Sequence, residues 1–370
     1  MNYTKGYKFR LYPNDLQQNL INRILGCCRF VFNHFLTVRK ESYQKDKTTI
    51  TYTKTSSLMT QLKRDVDHLW LNEADSIALQ QSLRDLDTAY QNFFKRKNGY
   101  PKYKSKHNHK QTYRTISKII RIEGKYINLP KVGLVEFRQS RQFKGKIVNA
   151  TITKNASGKY FISLCVEEDL VADLKLNQGG EIGIDVGLKE FYTDNFGNVV
   201  ANPKILKRLT KKLTKEQRRL SRRMKESRNR EKQRVKVAIV HERIANTRLD
   251  FLHKQTTKLC RENQTIAVES LRVKNLLKNH KLARAISDVS WGEFFRHLSY
   301  KAILYGCDLI KVPTFYPSSQ TCSQCGNKNP LTKDLKVRRW KCPKCGALHD
   351  RDENAAKNIL TKALEIKRSA

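Results

Sequence analysis

The sequence predicts a multidomain α+β protein: a small antiparallel β-barrel with a helical insert, followed by an α/β domain carrying a four-cysteine ribbon. Three observations predict it. Apolar residues recur at helical spacing until Gly99 and Pro101, then at period two from about residue 112. A fresh apolar strand, Ile182–Val186, opens a second region of alternating strands and helices. Late in the chain, Cys322-x-x-Cys325 and Cys342-x-x-Cys345 stand sixteen residues apart. At 370 residues the chain has room for two or three domains of roughly 100–200 residues each. The expected spans are 1–13 with 112–173 for the barrel, 14–111 for the helical insert, 179–321 with 346–370 for the α/β domain, and 322–345 for the ribbon.

The first strand alternates Tyr7, Phe9 and Leu11, and Pro13 ends it. Asn14, with Gln17 three residues on, is a capping box that starts a helix with the stripe Leu16, Leu20, Ile24, Cys28, Val31, Phe32 and Phe35. A second helix carries Leu58, Leu62 and Val66, and a third carries Leu79, Leu83, Leu86, Tyr90 and Phe93. After a basic linker, Lys102–Lys110, short strands follow at Ile120–Ile122, Tyr126–Leu129, Leu134–Phe137, Ile147–Thr153 and Tyr160–Val166, the last two joined by a turn at Asn155–Gly158. Leu174–Gly180 reads as a linker. Ile182–Val186 then runs through a loop at Asn195–Asn198. Between Lys204 and Lys236, sixteen Lys and Arg face three Glu, with a seam of Leu206, Leu209, Leu213, Leu220 and Met224. A second seam, Ile239, Val240, Ile244 and Phe251, makes this a basic antiparallel helical pair. Strands at Thr265–Val268 and Asp308–Val312, joined by a helix over Glu293–Tyr305, and a last helix from near Asp352 complete the chain.

The net charge of +40 calls for a polyanionic partner, with nucleic acid ahead of an anionic membrane surface. No apolar run approaches the ~18 residues of a membrane span and the start is polar and basic, so the expectation is a cytoplasmic protein with no signal peptide and no membrane partner. Nine cysteines, an odd number without regular spacing, fit a reducing compartment. Cys27, Cys28, Cys165, Cys260 and Cys307 sit among apolar neighbours and read as buried thiols.

Cys322, Cys325, Cys342 and Cys345 have the spacing of a closed, structural tetrahedral Zn²⁺ site, and Gly326 and Gly346 let each turn tighten. His349 is not needed as a ligand beside four thiolates, and His34, His241, His253 and His297 have no ligand spacing. Three carboxylates interrupt apolar surroundings: Asp185 in Gly183-Ile-Asp-Val-Gly187, Glu269 closing Ile266-Ala-Val-Glu269, and Asp352 at a helix start. A lone charge there is usually ion-paired or at a frayed end, but three in one domain read as one acidic pocket. Hard oxygen ligands suit Mg²⁺ or Mn²⁺, and a two-ion clamp would serve phosphodiester hydrolysis. The glycines flanking Asp185 are expected to admit a nucleic-acid backbone.

The chain resembles TnpB (OrfB), a transposon-encoded family related to type V CRISPR effectors. The resemblance runs through Phe9-Arg-Leu-Tyr-Pro13, Arg29-Phe-Val-Phe-Asn-His34, Ala78-Leu-Gln80, Gly99-Tyr-Pro-Lys-Tyr-Lys104, Gly183-Ile-Asp-Val-Gly187 and Ser290-Trp-Gly-Glu-Phe294. It closes with Tyr316-Pro-Ser-Ser-Gln-Thr-Cys322 and Asp350-Arg-Asp-Glu-Asn-Ala-Ala356. It implies an RNA-guided DNA endonuclease with one RuvC-type, RNase H-like nuclease domain, a wedge-like barrel and a helical recognition insert. It also implies a guide RNA from the transposon end, double-stranded target DNA, no small-molecule substrate and a prokaryotic, nucleoid-associated location. In that family's terms Asp185, Glu269 and Asp352 are the catalytic acids, with Asp350 a lesser neighbour.

Protein of this kind reads an RNA–DNA duplex by charge and shape while pairing reads sequence. Lys102, Lys104, Arg218, Arg219, Arg222 and Arg223 are candidate phosphate contacts, Gln80 has the amide geometry for adenine, and Tyr52 suits stacking or hydrogen bonding at a base. Tyr100, Tyr103 and Tyr113 are further stacking candidates. Two other readings stand beside the nuclease: an RNA-guided DNA-binding regulator that does not cut, and an autonomous transposase, since an RNase H-like acidic triad also serves strand transfer.

Overall fold

Tyr7, Phe9 and Leu11 do line the buried face of the first strand, β1 (Asn2–Tyr12), in a computed structural model that describes residues 2–108, 110–116, 120–169, 179–334 and 336–369. The linker expected at Leu174–Gly180 lies outside the described residues over 174–178. The chain forms two compact units, Met1–Leu170 and Val171–Ala370.

In the first unit Asn14 caps α1 (Asp15–Asp46), and its reciprocal bonds with Gln17 complete the capping box; such a cap is worth ~1 kcal/mol. α2 (Tyr52–Leu62), a 3₁₀ stretch (Val66–Glu73) and α3 (Ser76–Phe94) follow. The strands are β2 (Lys110–Thr115), β3 (Ile122–Glu123), β4 (Tyr126–Leu129), β5 (Gly133–Arg138), β6 (Lys146–Asn155) and β7 (Tyr160–Asp169). They make one curled antiparallel sheet in the order β2-β6-β7-β1-β5-β4-β3, so the N-terminal strand sits in the middle, against β7 and β5. Helices and sheet share one core, in which Phe9, Leu11, Ile24, Phe35, Leu79, Leu83, Ile152 and Leu164 are buried. Three expected stripe residues are not part of it, among them Phe93, half-buried near the end of α3 against Tyr100. Leu16 is exposed in the first turn of α1, and Val66 is exposed because α2 ends at Leu62, one turn earlier than the apolar spacing suggests.

In the second unit β8 (Gly180–Val186), β9 (Glu190–Asp194) and β10 (Val199–Ala201) form a meander. Then come α4 (Ile205–Ser221), α5 (Arg228–Glu262) and β11 (Asn263–Glu269). The short α6 (Val273–Leu276) and α7 (Ala283–Val289) precede α8 (Trp291–Tyr305) and β12 (Asp308–Val312). A two-stranded hairpin, β13 (Arg339–Lys341) with β14 (Leu348–Asp350), leads into α9 (Arg351–Arg368). The five-stranded sheet has the order β10-β9-β8-β11-β12, antiparallel through β9 and parallel where β8, β11 and β12 meet. α5 and α8 supply its apolar cover through Leu252, Leu259, Phe294 and Leu298, while α9 packs on the opposite side through Ile359 and Ala363. The basic helical pair is α4 with the start of α5, sealed by Ile205, Leu213, Val237, Val240 and Ile244. Met224 and Ile239, expected on its seams, are exposed: Met224 falls in the turn between the helices, and Ile239 faces away from α4.

Candidate metal centres and nucleic-acid surface

Strand parity explains how the two first acids come together. In the parallel β8–β11 ladder Gly183 faces Ala267 and Ile184 faces Val268, so Asp185 and Glu269 follow as the next pair, on the side shared with Gly183 and Ala267. That side is the one α9 covers. A Cβ built on Gly183 would lie 2.3 Å from the Ala356 carbonyl oxygen and 2.8 Å from Leu360 Cβ, so only glycine lets α9 lie this close. Two residues along β8 span ~6.6 Å, and one turn of α9 spans ~5.4 Å. Moving from Gly183 to Asp185 therefore matches moving back from Ala356 to Asp352. This corrects the expectation for Gly183: its missing side chain admits the protein's own helix. At Gly187 the nearest atom to an added Cβ is the Glu190 carbonyl oxygen at 3.1 Å, within the β8–β9 hairpin.

The electrostatics agree with that geometry. Burial, and then the charges of Glu269 and Asp352, push the Asp185 carboxyl well above the usual carboxylate range. Burial also raises Glu269, against a hydrogen bond from Ser318 Oγ to its Oε1 at 2.6 Å. Raised pKa values in neighbouring carboxylates mark a site that a cation would relieve. Asp352 has an internal partner: Arg338 Nη1 donates to both its carboxylate oxygens at 3.1 Å. Asp350 does something else. It is the N-cap of α9, accepting from the backbone N–H of Asp352 and Glu353.

Sequence reading missed the residues that hold these acids. Asn354 and Asn358, one helical turn apart on α9 and buried, tie down the segment around Cys322, from Ser318 to Ser323. Asn354 accepts from Ser323 N and donates to the Thr321 carbonyl, and Asn358 donates to the carbonyls of Ser318 and Thr321. Ser318 is thus fixed where it meets Glu269. Two Asn at (i, i+4) inside Asp350-Arg-Asp-Glu-Asn-Ala-Ala356 and just beyond it were the available signal, because helix interiors select against Asn unless it has such work.

The four cysteine sulfurs converge within 4.8 Å of one another. Cys322 and Cys345 are 3.7 Å apart and Cys325 and Cys342 are 3.6 Å apart. A tetrahedron with Zn–S of about 2.3 Å has edges of about 3.8 Å, which these two separations match. Each pair closes the same way: Gly326 N bonds the Cys322 carbonyl and Gly346 N the Cys342 carbonyl, both at 2.9 Å, with φ of 72° and 74° at the glycines. Backbone N–H groups, that of Cys345 foremost, hold the Cys342 thiol down to about 6. His349 is a neighbour of the cluster: its Nε2 is 3.0 Å from Cys322 Sγ and its ring lies 4.6 Å from Trp340. The ribbon hairpin reaches Asp350, past the expected limit of 345, and β14 continues directly into the helix that bears Asp352.

The remaining candidates are scattered. Arg218, Arg219, Arg222 and Arg223 are exposed at the end of α4, and the first three line an open groove of about 490 Å³ with Lys211 and Lys215. That groove shares Thr210 and Lys211 with a second of about 590 Å³ that includes Lys204, Lys207, Lys281 and Arg284. In the first unit Gln80 is exposed on α3, one turn from Arg84, whose guanidinium covers the Tyr52 ring at 4.9 Å. Lys102 is exposed. Lys104 is strapped down: its backbone exchanges bonds with the Asn33 side chain, its Nζ lies 4.1 Å from the Phe32 ring centroid, and burial lowers its pKa. Tyr113 is buried, which removes it as a stacking platform, whereas Tyr100, edge-on to Tyr90 and Phe93, and Tyr103 are both exposed. Of the cysteines expected in cores, Cys27, Cys28, Cys260 and Cys307 are buried and Cys165 is partly so. Among the described residues no helix is long and apolar enough to cross a membrane.

A mixed five-stranded sheet with carboxylates at its parallel strand ends, beside a four-cysteine ribbon, is the setting in which the comparisons with known proteins fall. Family models match three stretches: one described as "Probable transposase" over residues 163–280, one as "Cas12f1-like, TNB domain" over 291–359, and one as "Helix-turn-helix domain" over 1–48. The last covers β1 and the single helix α1. The chain is 38% identical to a "Putative RNA-guided DNA endonuclease" of Streptomyces pristinaespiralis, over 97% of this chain and 89% of that one. It is 33% identical to the "Putative RNA-guided DNA endonuclease InsQ" of Escherichia coli (strain K12), over 97% and 92%. Its fold is similar to the protein in a Cas12f1–sgRNA–target DNA complex, with a TM-score of 0.58 and 14% identity over 97% of this chain and 98% of that one. The chain belongs to the TnpB (OrfB) family.

Proposed function

We propose that this chain is an RNA-guided DNA endonuclease of a transposable element, cutting double-stranded DNA beside a short target-adjacent motif. The observation that carries the reading is the alignment of Asp185 with Glu269 on adjacent parallel strands, close enough to Asp352 that both charges raise the Asp185 pKa. On this reading the second unit is a RuvC-type, RNase H-like domain and the antiparallel sheet of the first is the wedge-like barrel with its helical recognition insert, the domains running 1–13 with 112–173, 14–111, 179–321 with 346–370, and 322–345.

Asp185, Glu269 and Asp352 would hold a pair of divalent cations, Mg²⁺ or Mn²⁺. Bound there, such ions supply a water of lowered pKa and stabilise the leaving oxygen of the phosphodiester. The chain's own part is placement. Ser318 orients Glu269, the Asn358 amide holds the Ser318 carbonyl, Asn354 ties down Thr321 and Ser323 next to it, and the α9 cap set by Asp350 fixes the first turn that carries Asp352. Arg338 balances Asp352 in the free protein and lies where an arriving phosphate would offer it a second anion. Hydrolysis leaves a 3′-hydroxyl and a 5′-phosphate. One such site cuts both strands in turn.

Zn²⁺ on the four cysteines would act structurally, bracing β14 and through it α9. Guide RNA derived from the transposon end and target DNA would lie along basic surfaces such as the α4 groove, with Arg218, Arg219, Arg222 and Arg223 on phosphates, in the nucleoid of a prokaryotic cytoplasm. Lys102, Lys104, Gln80 and Tyr52 remain candidates on the first unit.

The test is cleavage of plasmid DNA by protein purified with its RNA. Asp185→Ala is expected to lose about a thousandfold or more, the loss of several kcal/mol of transition-state stabilisation; undiminished cutting would refute the assignment. A second reading, RNA-guided binding without cutting, is favoured by one observation, the hold of Arg338 on both oxygens of Asp352. It predicts that wild type and Asp185→Ala bind target DNA alike and that neither cuts it.

A further inference from the structure

Phe315 is 84% exposed, although the rest of its segment is well anchored. It follows β12, whose last residue, Val312, is fully buried and accepts a hydrogen bond from Ser270 N at 3.0 Å. Tyr316 N bonds the Pro313 carbonyl at 3.1 Å and Ser318 N bonds the Tyr316 carbonyl at 2.8 Å, so the ring stands at the tip of a tight, proline-bounded turn. Tyr316, next in sequence, packs inward against the α9 side of the sheet. Among the described residues the Phe315 ring has one companion, the Arg272 guanidinium, centred 5.5 Å from it.

Both residues border the acids. Arg272 comes three residues after Glu269, and Phe315 three before Ser318, the residue that bonds Glu269. A single exposed apolar side chain on a protein surface needs no explanation. An exposed ring with a cation against it, on a braced turn beside a carboxylate site, is the arrangement on which nucleobases stack.

We propose that Phe315 and Arg272 form a stacking subsite for one unpaired base of single-stranded DNA, next to the phosphate to be cut; this rests on the nuclease reading above. The partner is single-stranded because a base in a duplex has both faces covered by its neighbours. Arg272 preorients the ring and adds positive charge beside the backbone.

The test uses the full chain with its co-purified RNA in an Asp185→Ala background, which binds without cutting. Short single-stranded DNA carries one 2-aminopurine moved stepwise along it, and the fluorescence is read. Quenching is expected at one or two adjacent positions, lost in Phe315→Ala and kept in Phe315→Trp, with affinity for the strand falling about tenfold in the alanine variant. In the cutting-competent chain, an abasic nucleotide at that position is expected to slow wild type about tenfold and to leave Phe315→Ala unaffected. Equal quenching by Phe315→Ala, or an equal abasic penalty in both chains, overturns the subsite. Quenching that depends on Phe315 in a chain that cuts no DNA would sustain the stacking subsite and refute the nuclease reading on which its placement beside a scissile phosphate depends.

Discussion

The second unit holds a four-cysteine cluster and the three carboxylates proposed above as a cation site, and the two are built on opposite plans. The cysteine cluster is local: two knuckles of closely similar backbone geometry bring four sulfurs within 4.8 Å, with two of the separations, 3.6 and 3.7 Å, near the edge of a zinc tetrahedron. The carboxylate cluster is assembled from three distant segments, and in the free chain one of its members is turned to an arginine. A structural ion needs a closed, preformed cage, whereas a catalytic site must keep positions open and exchange partners during a reaction. The two sites are joined, since β14 leaves the ribbon hairpin and becomes the helix carrying Asp352. On the proposed reading the rigid cluster sets the position of the adaptable one.

Three perturbations bear on that contrast, in order of expected size. Removing the zinc proposed for the ribbon, by chelation or by Cys342→Ser, is expected to abolish the proposed cutting although the four thiolates are not among the proposed catalytic residues. A four-thiolate site contributes on the order of 10 kcal/mol to local folding. Zinc content and cleavage should therefore fall together, and cleavage that survived full zinc removal would break the link between the clusters. Next, Gly183→Ala forces a methyl into the backbone of α9 and is expected to cost about 3 kcal/mol, in the range of overpacked cores. Thermal unfolding would show it; an unchanged midpoint would mean that α9 does not depend on this contact. The smallest effect concerns Asp185 alone. Its folded-state pKa is raised, so the folded chain binds protons more tightly than the unfolded one and loses stability as pH climbs from the ordinary carboxylate value through the raised one. In metal-free buffer at neutral pH, Asp185→Asn should therefore melt a few degrees higher than wild type, the gain vanishing below about pH 4. A variant that is more stable and inactive is the signature of a functional charge; one less stable at neutral pH would argue that the carboxylate is structural.

The same contrast explains what could be read from the sequence. The cysteine spacing is a statement about neighbours a few residues apart, and its geometry follows from the chain. The capping box at Asn14 and Gln17 and strand β12 are equally local and were legible to the residue. Convergence of Asp185, Glu269 and Asp352 depends on a parallel register and on a helix docking against Gly183, neither of which leaves a local trace. The charged and apolar pattern singled out the three acids as candidates, but it could not supply Arg338, Ser318, Asn354 or Asn358, whose contacts arise only when segments from three parts of the chain meet. The glycines beside Asp185 show the same limit: the need for close approach was legible in the sequence, but what approaches was not. Met224 was misplaced because helical spacing fixes a face only within one helix and it falls in the turn between α4 and α5, and Ile239 because the face α5 buries runs Val237, Val240 and Ile244, one residue off it.

The central claim is that three carboxylates form one cation site. Crystals grown with Mn²⁺ and examined by anomalous scattering test it most directly. The account predicts density between Asp185 and Glu269, with Asp352 turned from Arg338 toward the ion. Manganese bound elsewhere, with Arg338 still gripping Asp352 and the first two acids bare, would contradict it.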